Sequence, residues 1–352
     1  MKKKLICLLL MLALVLCGCE SNVVTLPTVP GPAPEPEGGE SLTVHSIDVG
    51  QADCALLECG GQYMLIDGGN REDSQLVISY LQQQGVEELE AVVCSHAHED
   101  HVGGLPAVLA VFPTSAVYSP TKTYSSNVFD DFMHYVSQQK LKVTIPDPGD
   151  TFSLGQAEIT VVGPTQSYAE TNDTSIILLV EFGETRFLFT GDMEVAAEND
   201  MLDYWGSNFD WNVDVLKVVH HGSDTSSGYR FVYETDPEYA VISVGEGNSY
   251  GHPHESVTSR YADAGIPMFR TDELGHVYVT SDGQTLSVTW EDQSAQPSDV
   301  ESAKTLYIGN KNSKKLHTGD CSSLPGENNR VEFDSYDEAI AAGYTPCSSC
   351  MK

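Results

Sequence analysis

The chain has 352 residues, 41% of them hydrophobic and 20% charged, enough for a large core with one or two smaller pieces attached. Lysine and arginine number 18 against 51 aspartate and glutamate, a net charge of −33. A field of that sign repels polyphosphates at long range, which excludes nucleic-acid capture by an overall basic surface.

In chain order, residues 1–19 open on Lys2, Lys3 and Lys4, run apolar from Leu5 to Leu16 and close on Leu16-Cys17-Gly18-Cys19. The apolar run is too short for a comfortable transmembrane helix and fits the core of a signal peptide. Its last four residues resemble the bacterial lipoprotein processing site, which implies that Cys19 carries the lipid. The expected location is then the outer face of the cytoplasmic membrane, with a secreted protein as the alternative. Residues 20–41, with Pro27, Pro30, Pro32, Pro34 and Pro36 followed by Gly38 and Gly39, read as a semi-extended tether.

A folded domain is expected over 42–290. Strands are predicted at 42–48, 54–59, 63–67, 90–95, 141–145, 157–162, 175–182, 185–190, 213–219, 239–244 and 275–281. Helices are predicted at 73–84, 127–139, 194–204 and 255–264. Strands interleaved with helices argue for an α/β or α+β domain of layered sheets. The thiols Cys54, Cys59 and Cys94 fall in apolar strands and read as small core residues.

The densest chemistry lies at 94–104, Cys-Ser-His-Ala-His-Glu-Asp-His-Val-Gly-Gly. His96 and His98, two apart on an extended loop, can address one cation, and Asp100 with His101 a neighbouring one. A single ion does not need four such ligands within six residues. Gly103 and Gly104 are expected to let the backbone turn sharply into a helix.

This His-Ala-His-Glu-Asp-His run resembles the metallo-β-lactamase superfamily, and further motifs follow in that family's order. Leu65-Ile66-Asp67-Gly68-Gly69 looks like its early aspartate, Phe189-Thr190-Gly191-Asp192 like the strand-end aspartate that bridges both metals, and 216–223, Leu-Lys-Val-Val-His-His-Gly-Ser, like the late histidine motif. The resemblance implies an αββα sandwich and a site for two zinc or manganese ions. Its ligands would be His96, His98, Asp100, His101, Asp192 and His220, with Asp48, Asp67 and Asn172 supporting them from behind. Adjacent residues of a regular strand face opposite ways, so His220 is taken as the ligand, and His221 or His252 as the group that touches substrate or protonates the leaving group. Asp100, Asp192, His221 and His252 are the expected catalytic residues. The third histidine of the first metal site is absent; Asn172-Asp173-Thr174-Ser175 stands near its place. An amide, a carboxylate or His252 fills that gap, or the first ion binds weakly.

Four stretches narrow the likeness: 48–53 (Asp-Val-Gly-Gln-Ala-Asp), 172–175, the His-His-Gly-Ser run, and 248–253 (Asn-Ser-Tyr-Gly-His-Pro). Together they are similar to the extracellular hydrolase domain of the ComEC competence-protein family. That implies a metal-dependent phosphodiesterase acting on DNA; hydrolysis of a small ester, lactone or β-lactam on the same scaffold is the alternative. Paired cations of this kind suit phosphoryl transfer. No protein partner can be read from the chain.

After a polar linker at 291–300, residues 301–352 place His317, Cys321, Cys347 and Cys350 as H-x3-C and C-x2-C. Four such donors in two close pairs suit one structural zinc, and so short a segment needs a staple. The segment resembles the small zinc module of the Ada DNA-repair protein, with His317 where that family has its first cysteine. The missing first cysteine argues against carrying methyl transfer over, while contact with DNA or a peptide stays an expectation. Residues 42–290 hold 37 acidic against 9 basic residues, whereas Lys304, Lys311, Lys314 and Lys315 open the last segment. The module is expected to hold the DNA that the larger domain cuts.

Overall fold

The computed structural model describes residues 39–297, 306–319 and 321–351. The expected signal peptide, Cys19, most of the Pro-rich tether, the end of the linker and Lys304 lie outside the described residues.

Two sheets face each other. One has eight strands in the spatial order Leu286–Trp290, Val277–Ser281, Leu42–Ser46, Ala55–Cys59, Gln62–Ile66, Leu89–Val93, Thr114–Tyr118 and Val143–Thr144. The other has seven, in the order Met268–Arg270, Tyr239–Ile242, Val215–Lys217, Thr185–Phe189, Ile177–Phe182, Ala157–Gly163 and Thr151–Leu154. Strand alternation divides the side chains between layers. Leu57, Cys59, Met64, Ile66 and Val93 meet Leu178, Val180, Phe187 and Phe189 between the sheets. Leu56, Leu65 and Val92 point the other way, under helices Ser74–Gln83, Leu105–Val111 and Asn127–Gln138. On the far side Ile177, Leu179 and Leu188 lie under helices Val195–Trp205, Tyr229–Thr235 and Glu255–Asp263. The result is an αββα sandwich whose central strands are buried on both faces. That is why they read as apolar runs and not as clean alternations. Cys54, Cys59 and Cys94 are buried and unbridged, as small core residues.

Gly103 and Gly104 form the turn between helix Glu99–Val102 and helix Leu105–Val111, opening the latter as expected. Both have ordinary right-handed backbone angles. Their lack of a side chain also admits another loop: a Cβ on Gly104 would lie 2.1 Å from the Gly68 carbonyl oxygen, and one on Gly103 2.4 Å from the Arg71 nitrogen. Gly68 N donates to His101 O and Gly104 N to Gly69 O, at 2.8 and 3.1 Å. The two glycine pairs press the Asp67 loop against the histidine loop.

The C-terminal segment is a separate small sheet of Arg330–Phe333, Tyr307–Asn310, Lys315–Thr318 and Thr345–Pro346. Its core consists of Tyr307, Leu316, Phe333, Ala339, Tyr344 and Met351. It rests on the larger domain through rings: Tyr229 stacks on Tyr336 at 5.5 Å, and Tyr307 Oη donates to Asp263 at 3.2 Å. A cavity of about 440 Å³ lies along this seam.

Candidate metal centre

The expected ligands lie beyond the ends of central strands, with Asp100 and His101 carried on the short helix Glu99–Val102. Leu89–Val93 ends just before Ser95 and His96, Thr185–Phe189 before Asp192, and Val215–Lys217 before His220 and His221. Strand ends are rigid while the loops beyond them are free to vary, which suits a precise polar cluster. His96 and His101 are fully buried, and Asp192 and His221 nearly so.

Asp192 Oδ2 is the hub. It lies 3.2 Å from His101 Nε2, 3.6 Å from His220 Nε2 and from His221 Nε2, and 4.0 Å from His96 Nε2. Asp100 Oδ2 stands 3.9 Å from His101 Nε2 and 3.6 Å from His221 Nε2. Two ligand atoms on one tetrahedral ion are about 3.4 Å apart, so Asp100, His101, Asp192 and His221 are spaced as one ligand set. On the other side of Asp192, His96 Nε2 and His98 Nδ1 are 3.0 Å apart.

The expected order of the two late histidines is therefore reversed: His221, not His220, joins the Asp100 and His101 group. The physical reason is that the strand stops at Lys217. His220 and His221 both take left-handed angles, with φ of 51° and 53°, so the adjacent rings are not sent to opposite faces. His220 Nε2 stays within 3.6 Å of Asp192 Oδ2.

Neighbouring groups fix the rings. Asp67 Oδ2 accepts from His101 Nδ1 at 2.8 Å, and Ser243 O accepts from His221 Nδ1 at 2.8 Å, so each Nε2 lone pair faces the cluster. Asp67 also accepts from Ser95 N and Oγ, at 2.7 and 2.6 Å. Asn172 lines the cavity, while Asp173 turns away to accept from Glu194 N at 2.8 Å. Ser175 contributes more than either: its hydroxyl accepts from Asp192 N at 3.0 Å and lies 3.5 Å from His96 Nδ1. Asp48 does not stand behind a ligand as expected. Its carboxylate accepts from Gly50 N at 3.0 Å and shapes the turn ahead of Asp53.

Asp53 and Lys217 take the supporting role that sequence reading missed. The buried Lys217 ammonium pairs with Asp53 Oδ2, and Asp53 Oδ1 lies 3.3 Å from His221 Nδ1. The available signal was a lysine inside an otherwise apolar strand, three residues before the histidine pair. Burial works against a charged Asp53, yet Lys217 and His221 hold it down at about 2.

The buried atoms His101 Nε2, His221 Nε2 and Asp192 Oδ1 have no hydrogen-bond partner. Buried polar atoms left unpartnered are costly, and a divalent cation of the zinc or manganese type is the group that this nitrogen and oxygen set accommodates. Without one, protons take its place. Burial lowers the affinity of His221 for a proton, but Asp192 and Asp53 overcome it and raise the pKa to about 10. His101 is likewise raised against burial by Asp192, Asp67 and Asp100. Metal binding there displaces protons, so affinity falls in acid. The pKa of His252 is lowered to about 4 by burial and by His221 and His220.

In the small module, His317, Cys321, Cys347 and Cys350 bring their donor atoms within 4.8 Å of one another, and the cysteines are unbridged. This set could hold one zinc. Lys311, Lys314 and Lys315 are exposed. Lys314 lies over the Tyr344 ring and Lys315 donates to Pro346 O, so two of the three already contact the module itself.

A family model described as the metallo-beta-lactamase superfamily matches residues 47–246. ComE operon protein 3 of Bacillus subtilis is 27% identical over 253 residues, covering 66% of this chain and 32% of that one. Competence protein ComA of Neisseria gonorrhoeae is 30% identical over 246 residues, covering 69% and 33%. The chain thus spans about a third of the length of these relatives. Among solved structures, the metallo-beta-lactamase fold protein YhfI from Bacillus subtilis aligns with a TM-score of 0.49 and 14% identity, over 69% of this chain and all of that one.

Proposed function

Because the chain belongs to the metallo-beta-lactamase superfamily and is a metal-dependent hydrolase related to the competence proteins, we propose that it cleaves phosphodiester bonds of DNA. In this reading it works at the outer face of the membrane, tethered by a lipid on Cys19. The observation that carries the reaction class is one carboxylate oxygen, Asp192 Oδ2, set among four imidazoles with unpartnered buried atoms around it. Asp100, His101, His221 and Asp192 would hold one ion; His96, His98 and Asp192, joined by His220, would hold the other. A pair of divalent ions supplies an activated water and neutralises the charge of a phosphodiester in displacement.

The chain's own residues prepare that step. Asp67 and the Ser243 carbonyl keep His101 and His221 in the tautomer whose free nitrogen faces inward. The Lys217 and Asp53 pair braces His221 from behind. Burial, with His221 and His220 nearby, lowers the His252 pKa to about 4 and so favours its neutral imidazole. With the Gln51 amide donating to its Nδ1 at 3.3 Å, its Nε2 proton is left for a substrate oxygen.

Zinc- or manganese-loaded protein should hydrolyse DNA and bis-p-nitrophenyl phosphate and leave nitrocefin intact; the opposite selectivity would move the reading to small esters and β-lactams. The two sites should also differ. After mild dialysis, His221→Ala should lose the ion held with Asp100 and His101. His220→Ala should keep that ion and lose the one beside His96 and His98. Both variants should retain the module's zinc; a His221→Ala protein that keeps the ion held with Asp100 and His101, or a His220→Ala protein that loses it, would refute the assignment.

A further inference from the structure

Tyr250 is the most exposed large apolar side chain among the described residues, at 67%, and it stands at the mouth of the cavity over the metal cluster, which measures about 1090 Å³. Single exposed rings are common and need no purpose. This one is held in place. Asn248 Nδ2 donates to Gly245 O at 3.0 Å and to His252 O at 2.6 Å, while its Oδ1 accepts from Tyr250 N at 3.1 Å and His252 N at 3.0 Å. One side chain thus closes the loop 245–252 with four hydrogen bonds. The Tyr250 ring stacks on His252, with centroids 5.5 Å apart and planes at 24°, which leaves its opposite face open. Besides Tyr250, the described residues that line the cavity are amides, imidazoles and carboxylates, with no lysine or arginine among them.

The geometry points to Tyr250 as a stacking platform for a nucleobase next to the phosphodiester that the metal cluster receives. The inference rests on the phosphodiesterase reading and adds what the substrate presents: an unpaired base. A mouth without cations gains nothing from additional phosphates, whereas stacking on an aromatic face is indifferent to charge and to base identity. Bases inside a duplex are already stacked on their neighbours. The platform therefore selects single strands and frayed ends over duplex interiors. His252 beneath the ring keeps it from rotating and links the platform to the group that meets the substrate oxygen.

The test uses metal-loaded full-length protein, Tyr250→Ala and Tyr250→Phe. Two matched single-stranded oligonucleotides are compared, one intact and one with stable tetrahydrofuran abasic residues around the scissile linkage. The parent should show a KM about ten-fold lower for the intact strand, the size of one base stack. Tyr250→Phe should keep the preference and Tyr250→Ala should erase it, mainly through KM. A preference that survives in Tyr250→Ala, or is absent from the parent, overturns the platform and leaves the nuclease reading standing. If the parent cleaves bis-p-nitrophenyl phosphate but neither oligonucleotide, the nuclease reading fails and the platform with it.

Discussion

Asp192→Asn should fold normally and hydrolyse bis-p-nitrophenyl phosphate about a hundred- to a thousand-fold more slowly than the parent, the scale set by loss of one preorganised electrostatic partner in an active site. The fold survives because asparagine has nearly the same shape and the residue's backbone is fixed independently, with Asp192 N donating to the Ser175 hydroxyl. Function does not survive, because an amide brings no negative charge to a point that four imidazole nitrogens surround within 4.0 Å. In the proposed two-ion site, both ions would lose a shared ligand at once. Initial rates, circular dichroism and metal analysis on the same preparation separate these effects. A folded Asp192→Asn protein with parental rates would remove the dinuclear mechanism.

Cys347→Ser should melt the C-terminal module while the sandwich stays folded. The module's core is six residues, too small to hold without a staple, and closed zinc sites of this kind contribute on the order of 10 kcal/mol to folding. The expected signature is rapid hydrogen exchange and proteolysis across residues 306–351, one zinc fewer per chain, and the same pattern in the parent after chelation. The loss should be felt beyond the module. Tyr336 and Tyr307 cover Tyr229, whose ring lies under the Arg260 guanidinium at 4.8 Å. Arg260 donates to the carbonyls of Ser226 and Ser227, at 3.1 and 2.7 Å, in the turn that follows the histidine pair. Faster exchange at 223–228 should therefore accompany loss of the module's zinc. A module that stays protected without the ion would show that its ring contacts with the larger domain suffice.

Much of this site was legible in the sequence for a simple reason: metal ligands are chemically distinctive, and here they sit at the ends of strands whose apolar runs are easily read. Asp67 behind His101 followed from the same motif. What was hidden depends on contacts between distant segments. The pairing of Lys217 with Asp53 spans the two halves of the sandwich, and no local pattern connects them. The exchange of His220 for His221 arose from reading a strand through residue 219, where the ladder stops at Lys217 and two left-handed residues follow. The turn at glycines 103 and 104 was readable, but the close approach of a second loop to them leaves no trace in local sequence. Strands Thr114–Tyr118 and Leu286–Trp290 and helix Tyr229–Thr235 passed unnoticed because they are short and partly polar.

The absence of lysine and arginine from the described residues that line the cavity bears on how enzyme and substrate would meet. An acidic protein and a polyanion repel at a distance, so their collisions are rarer than diffusion alone would give, and dissolved salt shortens the reach of that repulsion to about 10 Å at 0.1 M. Most proteins that act on nucleic acid are slowed by added salt because it competes for phosphate contacts. If DNA is the substrate as proposed, the sign should be inverted: association would quicken as the medium becomes more ionic, and the chain would suit strands brought to it by confinement at a surface more than strands captured from dilute solution.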